Sequence, residues 1–121
     1  MPKIMVVDDE ESLRELVKAI FESEGYDITI AASGQECLEK LKNEKPDLIL
    51  MDMMMPGMSG RETTENIRKN PSTKKLKIVF LTVARFSETG KETLEQLNVT
   101  DYVTKPFDNE DLVKRVKKIV G

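Results

Sequence analysis

Leu48-Ile49-Leu50-Met51-Asp52 is a run of four apolar residues that closes on a carboxylate. Such a run, with no polar alternation, is the pattern of a strand buried on both faces, whose only charge emerges at its carboxyl end. Two other stretches repeat it. Ile4-Met5-Val6-Val7 closes on Asp8-Asp9, and Ile78-Val79-Phe80-Leu81 closes on Thr82. Ile28-Thr29-Ile30-Ala31 alternates apolar with polar and Tyr102-Val103 is brief, so these two are expected at the edges of the sheet.

Between the strands the apolar period becomes helical. It is clearest at Leu13, Leu16, Val17, Ile20 and Phe21, and again at Leu112, Val113, Val116, Ile119 and Val120. Ser33-Gly34-Gln35-Glu36 and Ser59-Gly60-Arg61-Glu62 have the form of capping boxes, and Asp108 precedes Asn109-Glu110-Asp111, so three further helix starts are placed. Gly25 suits the end of the first helix. A fourth helix is expected near Ser87 to Leu97, with Gly90 inside it and a thin apolar stripe.

Strand and helix thus alternate five times, with crossovers long enough for parallel pairing. The fold class is α/β: a doubly wound (βα)5, flavodoxin-like domain with a five-stranded parallel sheet. Of the few orders that right-handed crossovers allow, 2-1-3-4-5 puts the three continuous runs in the middle.

The chain's 121 residues make one domain, expected over 1–121, with no room for a second catalytic or DNA-binding unit. A net charge of −3 argues against direct nucleic-acid binding and against an anionic-membrane anchor. The single cysteine, Cys37, can form no internal disulfide and is expected to serve as packing on the second helix. With no signal-peptide core and no apolar stretch of transmembrane length, a cytoplasmic location without membrane insertion is the expectation. The absence of histidine excludes imidazole-based zinc sites and every His-based triad, and no P-loop sequence occurs.

Ligands of open α/β sheets bind outside the carboxyl ends of the strands, where the strand order reverses. There the sequence delivers Asp8 and Asp9 from strand 1, Asp52 from strand 3, Thr82 from strand 4 and Lys105-Pro106 after strand 5. Three carboxylates against one ammonium leave an excess of about −2 in one crevice. Such a site favours a divalent cation, and its hard oxygen ligands select Mg²⁺, or Mn²⁺, over zinc or copper. Asp52 is placed as a nucleophile able to accept a phosphoryl group, with Lys105 and Thr82 beside its oxygens.

These residues resemble the receiver domain of bacterial and archaeal two-component response regulators, along nearly the whole chain. The resemblance rests on Val6-Val7-Asp8-Asp9-Glu10, on the segment from Pro46 through Asp52 to Gly60, on Leu81-Thr82, and on the segment from Asp101 through Lys105-Pro106 to Phe107. It implies that Asp52 takes a phosphoryl group from a histidine kinase or phosphotransfer protein. It further implies that Asp8, Asp9 and Asp52 hold Mg²⁺ with the Met54 backbone carbonyl, that Lys105 pairs with the phosphoryl group, and that Thr82 and Tyr102 are switch residues. A cis bond before Pro106 is implied as well, as is a downstream protein target engaged through the face of helix 4, strand 5 and helix 5.

Two positions depart from the family pattern. Val83 stands where a small residue is common and is expected to slow phosphorylation and hydrolysis by crowding, with Met54 flanking the same pocket. Asn98-Val99-Thr100 replaces a Gly-Ala-type turn, which leaves the end of the fourth helix open. Met51, Met53, Met54, Met55 and Met58 are read as filler around the core, and Lys114, Arg115, Lys117 and Lys118 as a solvated face.

The expected function is a signalling switch that catalyses its own phosphotransfer and dephosphorylation, as opposed to a turnover enzyme. Because the final helix ends at Gly121, a stand-alone switch is expected, although a fragment of a longer regulator would look the same. A Mg²⁺-dependent phosphohydrolase with an aspartyl-phosphate intermediate is the competing enzyme. It would place an acid two residues after the nucleophile, where this chain has Met54. A phosphorylation-independent scaffold is the third possibility.

Overall fold

The three unbroken apolar runs form the centre of a five-stranded parallel sheet, ordered β2-β1-β3-β4-β5. The strands are β1 (Lys3–Val7), β2 (Asp27–Ala31), β3 (Leu48–Asp52), β4 (Lys77–Thr82) and β5 (Asp101–Thr104). All five residues of β3 are buried. The alternating and brief stretches occupy the edges as β2 and β5. The computed structural model describes residues 2–83, 92 and 94–120.

Helices α1 (Glu11–Ser23), α2 (Gly34–Lys40) and α3 (Gly60–Lys69) connect successive strands, helical residues 94–96, between β4 and β5, are designated α4, and α5 (Asn109–Val120) follows β5. Most of the helix expected near Ser87 to Leu97 lies outside the described residues. Alternation along the strands divides the interior into two layers. Ile4, Val6, Leu48, Leu50, Val79 and Leu81 pack with Val17 and Phe21 of α1 and with Leu112 and Val116 of α5. Met5, Val7, Ile49, Met51, Ile78 and Phe80 pack on the opposite side with Cys37 and Ile67. Burial pushes the Cys37 thiol up to about 12, so it behaves as an apolar filler.

The helix ends follow their local chemistry. Ser33 accepts from the Glu36 N–H, Ser59 from the Glu62 N–H and Asp108 from the Asp111 N–H. Gly25 has φ +91° and donates to the Glu22 carbonyl, closing α1 in a conformation that glycine adopts without cost. At the end of α4 the left-handed residue is Asn98, with φ +53°. Its N–H and that of Val99 return to the carbonyls of Glu95 and Leu94, so asparagine supplies the turn for which a Gly-Ala pair is usual.

Two expectations are corrected. Leu16, assigned to the apolar stripe of α1, is 44% exposed, because the sheet is covered by Leu13, Val17, Ile20 and Phe21. The methionines are not uniform filler either. Met51 and Met55 are core, whereas Met54 is 68% exposed. The basic run on α5 is exposed as expected, but Arg115 pairs with Asp101 and Asp111, and Lys117 with Glu24.

Candidate functional site

The central strands end at nearly the same level, so the residues just beyond them meet at one rim. Asp8, one residue past β1, is completely buried. Its N–H donates to the Ala31 carbonyl, its Oδ1 accepts from the Glu10 N–H at 2.9 Å, and its Oδ2 accepts from Lys105 Nζ at 2.8 Å. Asp52 is the last residue of β3 and is only 4% exposed. Its Oδ1 accepts from the Met54 N–H at 3.1 Å and lies 3.6 Å from Lys105 Nζ. Asp9 is exposed beside them, and one oxygen from each of Asp8, Asp9 and Asp52 lies within 4.8 Å of the others.

Lys105 enters from the far side of the sheet. Its N–H donates to the Thr82 carbonyl at 2.7 Å, which extends the β4–β5 pairing one step to the rim. The Lys105–Pro106 peptide is cis. Thr82 is buried at the end of β4, and Tyr102, opposite Phe80 in the register, is half-buried against the α2/α3 side of the core. Met54 and Val83, each 68% exposed, lie just past the strand ends that carry Asp52 and Thr82.

Burial, reinforced by the neighbouring Asp8 and Asp9 charges, pushes the Asp52 carboxyl up to about 6, against the opposing pull of the Met54 N–H and Lys105. The site is thus short of positive charge as it stands. Three hard-oxygen donors converging on one point, with one ammonium among them, suit a small divalent cation.

Comparison with known proteins agrees with this geometry. Residues 4–117 match the family model described as the response regulator receiver domain. The chain belongs to that family. This receiver is 38% identical over 120 residues to the phosphate regulon transcriptional regulatory protein PhoB of Rhizobium meliloti, covering 99% of this chain and 52% of the relative. It therefore spans about half the length of that curated relative. Among solved structures, the chemotaxis protein CheY4 of Vibrio cholerae superposes with a TM-score of 0.91 at 32% identity, with 98% of each chain covered. The response regulator TrrA of Thermotoga maritima, solved in complex with Mg²⁺–BeF, gives a TM-score of 0.84 at 39% identity, covering 98% of this chain and 99% of that one. The receiver is thus a member of the two-component signalling switches, with their sheet order.

The receiver's site also depends on two residues that the sequence reading assigns no role there. Gly60 opens α3 directly against β3: its N–H donates to the Met53 carbonyl at 3.1 Å, and a Cβ there would overlap the Asp52 carbonyl oxygen. Arg14 donates from Nη1 to the Asp8 carbonyl at 2.8 Å. A signal for Arg14 existed, since it shares a helical face with Val17 and Phe21, where a cation needs a reason to be.

Proposed function

We propose that this receiver, one phosphoacceptor unit over 1–121, takes a phosphoryl group on Asp52 from the phosphohistidine of a histidine kinase or phosphotransfer protein and switches a protein-binding face. The observation that carries this is the placement of Lys105 between two buried carboxylates, with a third, Asp9, left exposed toward solvent. Asp8, Asp9, Asp52 and the Met54 backbone carbonyl would hold Mg²⁺, with Mn²⁺ as a substitute of the same ligand preference. A cation bound there supplies charge neutralisation for the transferred group. The Mg²⁺–BeF complex of the Thermotoga relative supports this assignment, because a beryllium fluoride anion has the shape and charge of a phosphoryl group.

In the transfer, an Asp52 carboxylate oxygen attacks phosphorus. The phosphorus–nitrogen bond of the donor breaks, its electron pair stays on the imidazole, and the imidazole takes a proton from water. With its carboxyl pushed up to about 6, Asp52 is still largely ionised at neutral pH and so keeps its nucleophilic electron pair. Lys105 then turns from Asp8 toward the phosphoryl oxygens, and the Thr82 hydroxyl donates to another of them. Tyr102, packed beside β4, follows Thr82 and alters the α4, β5 and α5 surface at which a target protein binds. Met54 and Val83 form an exposed apolar rim that limits approach of water, and Val83→Ala accelerates both labelling and hydrolysis.

The test is intact-protein mass after incubation with acetyl phosphate and Mg²⁺, with and without chelator, for wild type and Asp52→Asn. A Mg²⁺-dependent gain of one phosphoryl group, absent in Asp52→Asn, is expected. Continuous phosphate release from small phosphoesters would replace this assignment with a phosphohydrolase. Failure of both wild type and Val83→Ala to label would leave a scaffold.

A further inference from the structure

Asp8 is held from four directions. Its N–H meets Ala31, one carboxylate oxygen meets the Glu10 N–H and the other meets Lys105. The fourth contact, from Arg14 Nη1 to the Asp8 carbonyl oxygen at 2.8 Å, has no counterpart in the chemistry described above. That carbonyl lies past the last ladder position of β1, where Val7 pairs with Ala31 and Met51, and among the described residues no backbone N–H reaches it. The carbonyl belongs to the Asp8–Asp9 peptide. Among the described residues the Asp9 carboxylate accepts no hydrogen bond, so what the fold fixes of it is the Cα–Cβ direction set by the backbone that carries it.

We infer that Arg14 is a positioning residue for the cation site: by fixing the Asp8–Asp9 peptide it holds the Asp9 carboxylate toward Asp8 and Asp52. The inference rests on the proposed Mg²⁺ site. Two physical effects of Arg14 on that site have opposite signs, which makes the role separable. As a bare positive charge against the backbone of Asp8, Arg14 opposes a cation, and its removal tightens Mg²⁺ binding. As a clamp on the peptide between two ligands, it favours the cation, and its removal weakens binding, as loss of the groups that orient metal ligands does elsewhere. The short, charge-assisted bond to a carbonyl that no other donor among the described residues reaches makes the clamp the larger effect.

The experiment is calorimetric titration of Mg²⁺ into the intact protein, alongside thermal unfolding in chelator, for wild type, Arg14→Met, Arg14→Lys and Lys18→Met. Lys18 is an exposed α1 residue, so Lys18→Met removes the same charge without touching Asp8. Arg14→Met is expected to bind Mg²⁺ about tenfold more weakly, Arg14→Lys to fall between it and wild type, and Lys18→Met to bind as tightly as wild type or tighter. Equal or tighter binding by Arg14→Met overturns the inference. Should Arg14→Met fail to fold, Arg14→Lys decides, because it keeps the charge: wild-type affinity refutes positioning and weaker affinity supports it. Absence of Mg²⁺ binding by wild type overturns the cation site itself and this inference with it, a result distinct from binding that ignores Arg14.

Discussion

Lys105 Nζ stands 2.8 Å from Asp8 Oδ2 but 3.6 Å from Asp52 Oδ1, so in this state the ammonium belongs to Asp8. Asp8 is fully buried and Lys105 is partly buried, its side chain 14% exposed. Lys105→Met would leave a buried carboxylate with, among the described residues, the Glu10 N–H alone to offset its charge, the situation in which removing one partner of a buried pair is costly. Urea unfolding at pH 7 in chelator should show a loss of about 2 kcal/mol, allowing for the exposed Asp9 side of the site. Added Mg²⁺ should recover more stability in Lys105→Met than in wild type, because the cation takes over the missing charge. An equal Mg²⁺ increment in the two proteins would mean that Lys105 and the cation do not share the same carboxylates.

The raised Asp52 carboxyl makes a prediction about pH. Its folded value, about 6, lies above the ordinary 3.8, so between these the native state holds more protons than the unfolded chain. Stability from this group is therefore present below pH 4 and lost as pH rises through about 6. Asp52→Asn removes the ionisation, so in chelator it should be more stable than wild type at pH 7, by about 1–2 kcal/mol. The difference should vanish toward pH 4. A constant difference across that range would show that burial of the charge is not its source.

What could be read in advance, and what could not, divides along a physical line. The order of the strands and the convergence of Asp8, Asp9, Asp52, Thr82 and Lys105 follow from apolar runs that each end in a polar group, a property local to five-residue segments. Ser33, Ser59 and Asp108 are legible for the same reason, since a cap bonds to an N–H three residues away. Leu16 is misplaced because a period assigns a stripe but not its width; the sheet covers one side of that stripe and leaves the other in water. Arg14 and Arg68 bond to carbonyls whose availability depends on where strands and turns end in space; helical spacing puts Arg14 on the buried face of α1 but names no partner, and no spacing announces Arg68.

Gly57, in the loop after β3, and Gly60, the first residue of α3, should respond differently to alanine. A Cβ on Gly60 overlaps the Asp52 carbonyl oxygen and crowds Met53 Cα, both of them backbone, so α3 must move off β3. Gly57 has open space around it, and only its φ of +74° opposes a side chain. Gly57→Ala should cost about 1 kcal/mol and leave Asp52 in place. Gly60→Ala should cost about 2–3 kcal/mol and also slow acetyl phosphate labelling, since the displaced backbone carries the phosphoacceptor. Thermal unfolding and labelling rates measured on both variants check this, and labelling unaffected in Gly60→Ala would show that α3 gives way without moving Asp52.

Arg68, on α3, donates from Nε to the Leu97 carbonyl at 2.7 Å, from Nη1 to the Lys74 carbonyl at 2.9 Å and from Nη2 to the Asn98 carbonyl at 3.1 Å. One planar fork thus holds the turn after α4 and the approach to β4 together. Its partial burial lowers its pKa without discharging it, because a guanidinium stays protonated in proteins. Arg68→Met removes the donors of three carbonyls, of which that of Leu97 is partly buried and the other two are open to water, and should cost about 1–2 kcal/mol in urea unfolding. Arg68→Lys should recover little of that, since a single ammonium cannot reproduce three donors fixed in a plane. At Asn98, which already bears φ +53°, Asn98→Gly should be nearly neutral while Asn98→Val destabilises, a β-branched side chain being poorly tolerated in that conformation. If Arg68→Lys matches wild type, one carbonyl carries the contact and the other two bonds are incidental; if Arg68→Met also matches, the turn after α4 holds itself through the Glu95 and Leu94 carbonyls alone.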